Sequence, residues 1–377
     1  MIFLKFTSRS NCKRFLLGHS VPHILFVGVF IRQFMPCFAS TMKAAQFTPG
    51  PPENINIGEV PIPTLRSSEV LLKVYTTAIN RADTLQRKGL YPAPKDESNI
   101  LGLEAAGTVE KLGPDVKTLN VGDRVMALLP GGGNAEYVAV RENHTIKVPS
   151  SMTWTKAGAI PEVWLTAYQL LHFVGHVKPG ETVLLHAGGS GVGTAATQLC
   201  DLIGAKAIVT AGSEAKINMA KSLGAVAGFN YKEVDFAEKV LEFTEGKGVD
   251  LILDPVGGSY WEKNTAAIAL DGRWVLYGSM GGGKVDGDIL AKILRKRIQL
   301  TGSTLRTRSN QYKAELVKSF EEHTLEHFQS GKLKPIIDTV LPLSKLADAH
   351  ALMESNKNNG KIVIVVRDDE SDIKAEL

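Results

Sequence analysis

Cysteine is scarce in this chain. Three residues in 377, Cys12, Cys37 and Cys200, cannot build a disulfide framework or a four-thiolate zinc site, and they favour a reducing compartment over secretion. Acidic residues are missing until Glu53, and the short apolar stretch His23–Ile31 falls far below the roughly 20 residues of a membrane-spanning helix. Net charge is also lacking in the body. Of 43 Lys and Arg against 39 Asp and Glu, five cations (Lys5, Arg9, Lys13, Arg14, Arg32) lie in residues 1–41, leaving 38 against 39. No sustained basic stripe remains, so a nucleic-acid partner is not expected. What is present is ordinary globular material, with 44% hydrophobic and 22% charged residues and a mean hydropathy of −0.01, which excludes disordered and collagenous classes. The length suggests two or three lobes.

Residues 1–41 mix Arg, Lys and Ser with apolar residues and carry no acid. That is the composition of a mitochondrial presequence. A secretory signal is the rival reading, with Cys37-Phe38-Ala39 as its loose cleavage site, although its polar region is long. The third reading is an alternative start, since Met42 opens a plausible strand, Met-Lys-Ala-Ala-Gln-Phe. A mitochondrial location is expected if the segment acts as a presequence, and a cytoplasmic one for a product starting at Met42.

From residue 42 to 163, short β-branched runs (Val70–Thr76, Ala105–Leu112, Arg124–Leu128, Tyr137–Val140) are broken by Gly, Pro and Asn, which predicts an all-β lobe. From 164 to 304 the rhythm becomes strand and helix in alternation. The runs Thr182–His186, Ala207–Ala211, Ala225–Phe229, Val249–Leu253, Arg273–Tyr277 and Ile298–Leu300 have the character of buried parallel strands in a doubly wound α/β sheet. Residues 305–377 carry helical segments around Tyr312–Phe328 and Leu343–Glu354 and a last strand Lys361–Val366. With no core of its own, this tail is expected to return to the first lobe.

The strongest chemical signal is Ala187-Gly188-Gly189-Ser190-Gly191-Val192-Gly193, after the first strand of the α/β lobe. Backbone amides at a helix start can face a pyrophosphate only where no side chain intervenes. Gly188 is expected to make the tight turn and Gly193 to allow close packing, while Ser190 occupies the middle position of G-x-G-x-x-G. A loop with no ligand is the plain alternative. The second strand ends in Thr210-Ala211-Gly212-Ser213-Glu214-Ala215-Lys216, without the carboxylate that receives the ribose of NAD. Gly212, Ser213, Lys216 and Tyr231 instead suit a 2′-phosphate, so NADPH is the expected cofactor. Glu214 counts against this unless it points to solvent, and for Lys216 taken alone a helix-surface charge is the commoner reading.

The runs Ala78-Ile79-Asn80-Arg81-Ala82-Asp83, Asn99–Gly107, Ala127–Gly133, Ala159-Ile160-Pro161-Glu162 and Gly257–Asn264 resemble the zinc-free quinone oxidoreductase branch of the medium-chain dehydrogenase/reductase superfamily, from about Met42 to Val366. The resemblance implies a GroES-like β lobe joined to a Rossmann nucleotide-binding domain. In zinc-containing members a cysteine follows the strand here read as Val70–Thr76 and a histidine stands in Gly-His-Glu. This chain has Asn80 in the first region and Leu103 in Gly102-Leu103-Glu104, and it lacks the four-cysteine loop. Leucine cannot ligate a metal, so no metal site is expected.

By resemblance the nicotinamide lies between the lobes, near Asn80, Pro161 and Thr166 on one side and Tyr277, Gly278, Ser279 and Met280 on the other, with Asp254–Gly258, including Val256, on the adenosine side. Asn80 is expected to present an exposed amide that orients a carbonyl. Tyr91 is a candidate to hydrogen-bond a quinone oxygen, with a packed loop tyrosine as its bland alternative. Asp83 and Gln86 read as a helix-start pair. The implied activity is hydride transfer from NADPH to a quinone or enone, and the family habit suggests a homodimer joined near Ile298–Ser303. Reduction of an enoyl thioester, and a cofactor-binding protein of crystallin-like or RNA-binding type, are the competing functions.

Overall fold

The computed structural model describes residues 40–369, so the readings made for the leader fall, up to residue 39, outside the described residues. β1 (Thr41–Phe47) and β2 (Ile55–Pro61) form an antiparallel pair. β3 (Glu69–Ile79), helix α1 (Arg81–Arg87), β4 (Glu104–Leu112), β5 (Arg124–Leu128), β6 (Tyr137–Arg141) and β7 (Thr145–Lys147) build the first lobe. Alternate residues of a strand share a face, and Val70, Leu72 and Val74 of β3 accordingly pack in one core with Val109, Val125 and Val140.

Two short helices follow, α2 (Trp154–Ala157) and α3 (Pro161–Tyr168), the second running into a π-helical turn at Gln169–Val174. Proline suits the first position of α3, where no intrahelical partner exists for an N–H. Then come β8 (Thr182–Leu185), α4 (Gly191–Ile203), β9 (Lys206–Ala211), α5 (Glu214–Ser222), β10 (Ala227–Asn230) and α6 (Phe236–Phe243). β11 (Val249–Asp254), α7 (Trp261–Ala267), β12 (Ile268–Leu276), α8 (Ile289–Lys296) and β13 (Gln299–Gly302) complete the second lobe. Its six strands lie in the order β10-β9-β8-β11-β12-β13, each pair parallel. The order reverses between β8 and β11, where a doubly wound sheet opens a ligand crevice beyond its strand ends.

α9 (Asn310–Gln329), β14 (Ile337–Pro342), α10 (Leu346–Ser355) and β15 (Lys361–Val365) form the tail. β15 pairs antiparallel with β3, Ile362 facing Ile79, and extends the first lobe's sheet to β14-β15-β3-β4-β5-β7, with β6 also on β3. The expected boundary at 163/164 runs through α3. That helix packs on α4 and α9, and Val163 and Trp164 share one core with Val183, Leu199 and Phe320, so no seam separates the lobes there. No described helix is long and apolar enough to cross a membrane.

Candidate active site

The glycine turn leaves β8 and enters α4 with a division of labour that differs from the sequence reading. The left-handed residue is Ala187, with φ of 55°, and not Gly188. Gly188 is required for a different reason, because a Cβ there would lie 2.7 Å from Cβ of Val209 on β9. Gly193 does allow close approach, since a Cβ would overlap the Ala187 carbonyl oxygen and lie 2.8 Å from Gly188 Cα. Ser190 caps α4, its hydroxyl accepting from the Gly193 amide at 3.0 Å. Such a cap satisfies one of the orphan donors of a helix start. The amides of Gly188 and Ser190 donate to Thr210 and Ala187, and Ser190 forms a parallel bridge with Gly360 of the tail, while the amides of Gly189 and Val192 have no backbone acceptor among the described residues. Unused donors at a helix N-terminus suit an anion.

At the end of β9, a Cβ on Gly212 would lie 2.8 Å from Tyr231 Oη and 3.1 Å from Lys232 Cε, so two of the residues expected to receive a 2′-phosphate, Gly212 and Tyr231, are neighbours. Ser213 makes no side-chain cap bond to α5, and Glu214 is exposed. Lys216 lies over Gly189 and donates from Nζ to the Asn356 carbonyl at 2.7 Å. Burial lowers the Lys216 ammonium's pKa, with repulsion from Lys232 in the same direction and Asp338 opposing. Lys232 escaped the sequence reading, although it directly follows Tyr231 after a parallel strand, which is the signal that could have found it.

The loops after β11 and β12 are bound to each other. Gly281 N donates to Val256 O at 2.7 Å, Met280 N to Pro255 O at 3.1 Å and Tyr277 N to Asp254 O at 2.9 Å. Val256, expected on the adenosine side, lies against the Tyr277-Gly278-Ser279-Met280 segment. Asp254 fixes this junction by accepting from the amides of Val256 and Gly257 at 2.6 and 3.0 Å. Burial, with Asp254 adding to it, raises the pKa of the Tyr277 phenol.

Where the tail meets the first lobe, Lys361 donates to Glu104 Oε1 at 2.7 Å, to Asn80 Oδ1 at 2.8 Å and to the Ile79 carbonyl at 3.1 Å. Asn80 Nδ2 donates to Glu104 Oε1 at 2.8 Å and to Ala78 O at 3.3 Å. Asn80 is thus buried with both ends of its amide engaged, which corrects the expectation of an exposed amide. The reason is long-range pairing, since Lys361 arrives from 281 residues away. Asp83 accepts from the amides of Asn80 at 2.8 Å and Gly102 at 2.9 Å, a structural role as read, and burial pushes its carboxyl up to about 6.

Glu104 Oε2 also accepts from the Glu162 amide at 3.0 Å, tying β4 to the start of α3, where Pro161 is buried and Thr166 lies one turn further on, half-buried. The Glu162 carboxyl is pushed up to about 8 by burial, then by the Glu104 charge. Tyr91 lies in a loop held by Arg306, whose Nη1 donates to Tyr91 O at 3.4 Å, whose Nε donates to Pro130 O at 2.6 Å, and whose guanidinium stands 5.5 Å from the Tyr91 ring centroid. Burial raises the Tyr91 phenol's pKa, as does Glu162, and Arg306 opposes them. Glu104, Glu162, Arg306 and Lys361 carried no role in the sequence reading. The glycine turn adjoins this cluster, because a Cβ on Gly191 would lie 2.9 Å from both Lys361 Cδ and Val163 Cγ1. A surface cavity of about 530 Å³ lined by Lys43, Glu59, Glu136 and Arg367 includes none of these site residues.

An antiparallel lobe, closed by the chain's own tail and set beside a parallel sheet with a glycine turn, is the architecture of a two-lobed dehydrogenase. The alcohol dehydrogenase GroES-like domain family matches residues 66–150 and the zinc-binding dehydrogenase family residues 191–322; the chain belongs to the medium-chain dehydrogenase/reductase superfamily. Human quinone oxidoreductase is 29% identical over 86% of this chain and 98% of its own length. The zebrafish (Danio rerio) synaptic vesicle membrane protein VAT-1 homolog is 30% identical over 80% of this chain, which spans 65% of that protein; the chain spans 14% of a Mycobacterium tuberculosis polyketide synthase subunit that is 32% identical. Among solved structures, Pseudomonas syringae quinone oxidoreductase is 32% identical with a TM-score of 0.78, over 86% of this chain and 99% of that one. A mycobacterial protein in complex with NADPH is 29% identical with a TM-score of 0.77, over 86% and 100%. The CurK enoyl reductase is 27% identical with a TM-score of 0.77, over 86% and 99%.

Proposed function

We propose that this oxidoreductase passes a hydride from NADPH to a quinone or a related enone without a metal ion. The observation that carries the cofactor part is the pairing of unused amides at Gly189 and Val192 with the Gly212, Tyr231 and Lys232 contact at the next strand end. A diphosphate suits the first, and a 2′-phosphate the second, where Lys216 and Lys232 repel each other and an added anion relieves that repulsion. Leu103 offers no lone pair, and among the described residues no group of three His, Cys, Asp or Glu side chains is placed to hold a metal ion, so the donor set does not fit zinc.

When bound, the reduced nicotinamide supplies the hydride. The chain's own part is to hold donor and acceptor face to face, exclude water and stabilise charge on the acceptor oxygen. Lys361 and Asn80 stiffen the floor of the lobe junction. Arg306 fixes the loop that carries Tyr91, whose phenol can hydrogen-bond that oxygen. The outer edge of β13, exposed along all four residues, supports a homodimer formed by sheet continuation.

Likeness to an enoyl reductase supports enoyl-thioester reduction as a second reading, on the same hydride step. Mixing the purified protein with NADPH and either ortho- and para-quinones or an enoyl thioester, and following nicotinamide absorbance, separates them. Oxidation of NADPH by quinones but not by the thioester is expected. Cofactor binding without turnover of any acceptor removes the enzymatic reading altogether.

A further inference from the structure

A buried chain of side-chain hydrogen bonds runs beneath the glycine turn. His186, the last residue before Ala187, bonds through Nδ1 to Thr210 Oγ1 on β9 at 2.8 Å and through Nε2 to Asn264 Oδ1 on α7 at 2.7 Å. Asn264 Nδ2 donates to Asp254 Oδ2 at 3.1 Å, where Trp274 Nε1 of β12 also donates at 3.0 Å. The other Asp254 oxygen holds the Val256 and Gly257 amides. All five side chains are buried, where a polar group is costly unless partnered. Four N–H donors converge on Asp254, so its carboxyl is the acceptor and the direction of the other bonds follows. The Asn264 amide turns its oxygen to His186, which places the imidazole proton on Nε2. Burial lowers the imidazole's pKa, against Asp254 and the Asn264 bond, and in the neutral ring Nδ1 accepts from the Thr210 hydroxyl.

Both ends of this chain are joined to the loops that frame the crevice. The Thr210 carbonyl accepts the Gly188 amide at 2.9 Å, and Thr210 stands two residues before Gly212. Asp254 shapes the loop whose Pro255 and Val256 carbonyls accept from Met280 and Gly281. The His186 ring also meets Tyr260 edge-on at 4.8 Å, and Tyr260 meets Tyr231 at 6.2 Å. We propose that His186 is a positioning residue for the dinucleotide, tying the glycine turn to the Asp254–Gly258 loop so that the crevice between β8 and β11 holds its width before the cofactor arrives. This rests on the nicotinamide-nucleotide reading above. A preset crevice spares the cofactor the cost of ordering two loops. Because the chain supports the anion-type turn, its contribution is to nucleotide affinity, equal in the ground and transition states.

The test uses two substitutions that each keep half of the chain. In His186→Gln the amide reaches the place of Nε2 and keeps the bond to Asn264, whereas in His186→Asn it reaches only the place of Nδ1 and keeps Thr210. By calorimetry His186→Gln should hold NADPH within about threefold of wild type, and His186→Asn should weaken it roughly tenfold, the size of one lost buried hydrogen bond. In His186→Asn the KM for NADPH should rise with Kd while kcat at saturating NADPH stays within about twofold, a split that general loosening of the lobe would not give. A wild-type Kd in His186→Asn, equal losses in both variants, or a fall in kcat with KM unchanged overturns the proposal. A second readout uses the wild type alone, whether or not the variants fold. Heteronuclear NMR of the histidine rings at neutral pH should show the His186 proton on Nε2, and saturating NADPH should shift both that signal and the Trp274 indole signal. The opposite tautomer, or signals that saturating NADPH leaves in place, overturns it as well. A wild type that binds neither NADPH nor NADH sinks the nucleotide reading, a different failure.

Discussion

Replacing Lys361 by Met tests the junction most directly. All three ammonium protons have acceptors, Glu104 Oε1 at 2.7 Å, Asn80 Oδ1 at 2.8 Å and Ile79 O at 3.1 Å. The side chains of Lys361 and Glu104 are 3% and 0% exposed, so water cannot replace the lost partner. Methionine fills a similar volume without charge, leaving Glu104 with only the donors of Asn80 and the Glu162 amide. Breaking a buried ion pair from one side costs about 3–5 kcal/mol. At a few degrees per kcal/mol in a chain of this size, Tm should fall by at least about 5 °C. The double variant Lys361→Met/Glu104→Gln removes both charges and should cost less than the two single changes added, by about 0.5–3 kcal/mol. Urea unfolding followed by tryptophan fluorescence measures all three variants against wild type. A Lys361→Met protein within about 1 kcal/mol of wild type, or strict additivity in the double variant, would refute the account of this pair.

Other consequences are equally measurable. Lys216→Ala should weaken NADPH roughly tenfold and leave NADH unchanged, the size expected of one charge-assisted contact; equal loss for both coenzymes in calorimetry removes the phosphate assignment. Gly193→Ala drives a Cβ into the Ala187 carbonyl and Gly188 Cα and should cost about 1–3 kcal/mol together with cofactor binding. Gly283→Ala, with nothing within 4 Å, is its neutral control in thermal melts. His144 and His350 are 3% and 0% exposed, and burial holds each near pKa 4. The unfolded chain therefore binds more protons between pH 6.5 and 4, so stability should drop as pH falls through that window, by about 3 kcal/mol per histidine. His350→Leu should flatten part of the drop in urea midpoints, and an unchanged slope would contradict the burial argument.

Much of this fold was legible because its signals are local. Val70, Leu72 and Val74 face one core through simple alternation, and the parallel runs of the second lobe are apolar because helices cover both faces of their sheet. The glycine turn was visible for the same reason, yet the roles inside it were not. A left-handed φ at Ala187 depends on how β8 is held against β9, and sequence favours glycine at such a position. The 163/164 boundary falls inside α3, which belongs to the shared core through Trp164 and Leu165, and helical periodicity does not say which lobe a helix will join.

The least legible feature was the state of Asn80, and the cause is general. A side-chain amide reads as available until its partners are known, and here they come from β4 and from β15 at the far end of the chain. Those partners depend on the antiparallel registry of Ile362 with Ile79, because a slip of one residue would turn Lys361 to the other face of the sheet. The same registry brings Lys361 against Gly191. One strand pairing therefore fixes both the polar floor of the junction and the distance from that floor to the phosphate-type turn. Tail closure is a condition of the site's geometry and not merely of the first lobe's stability.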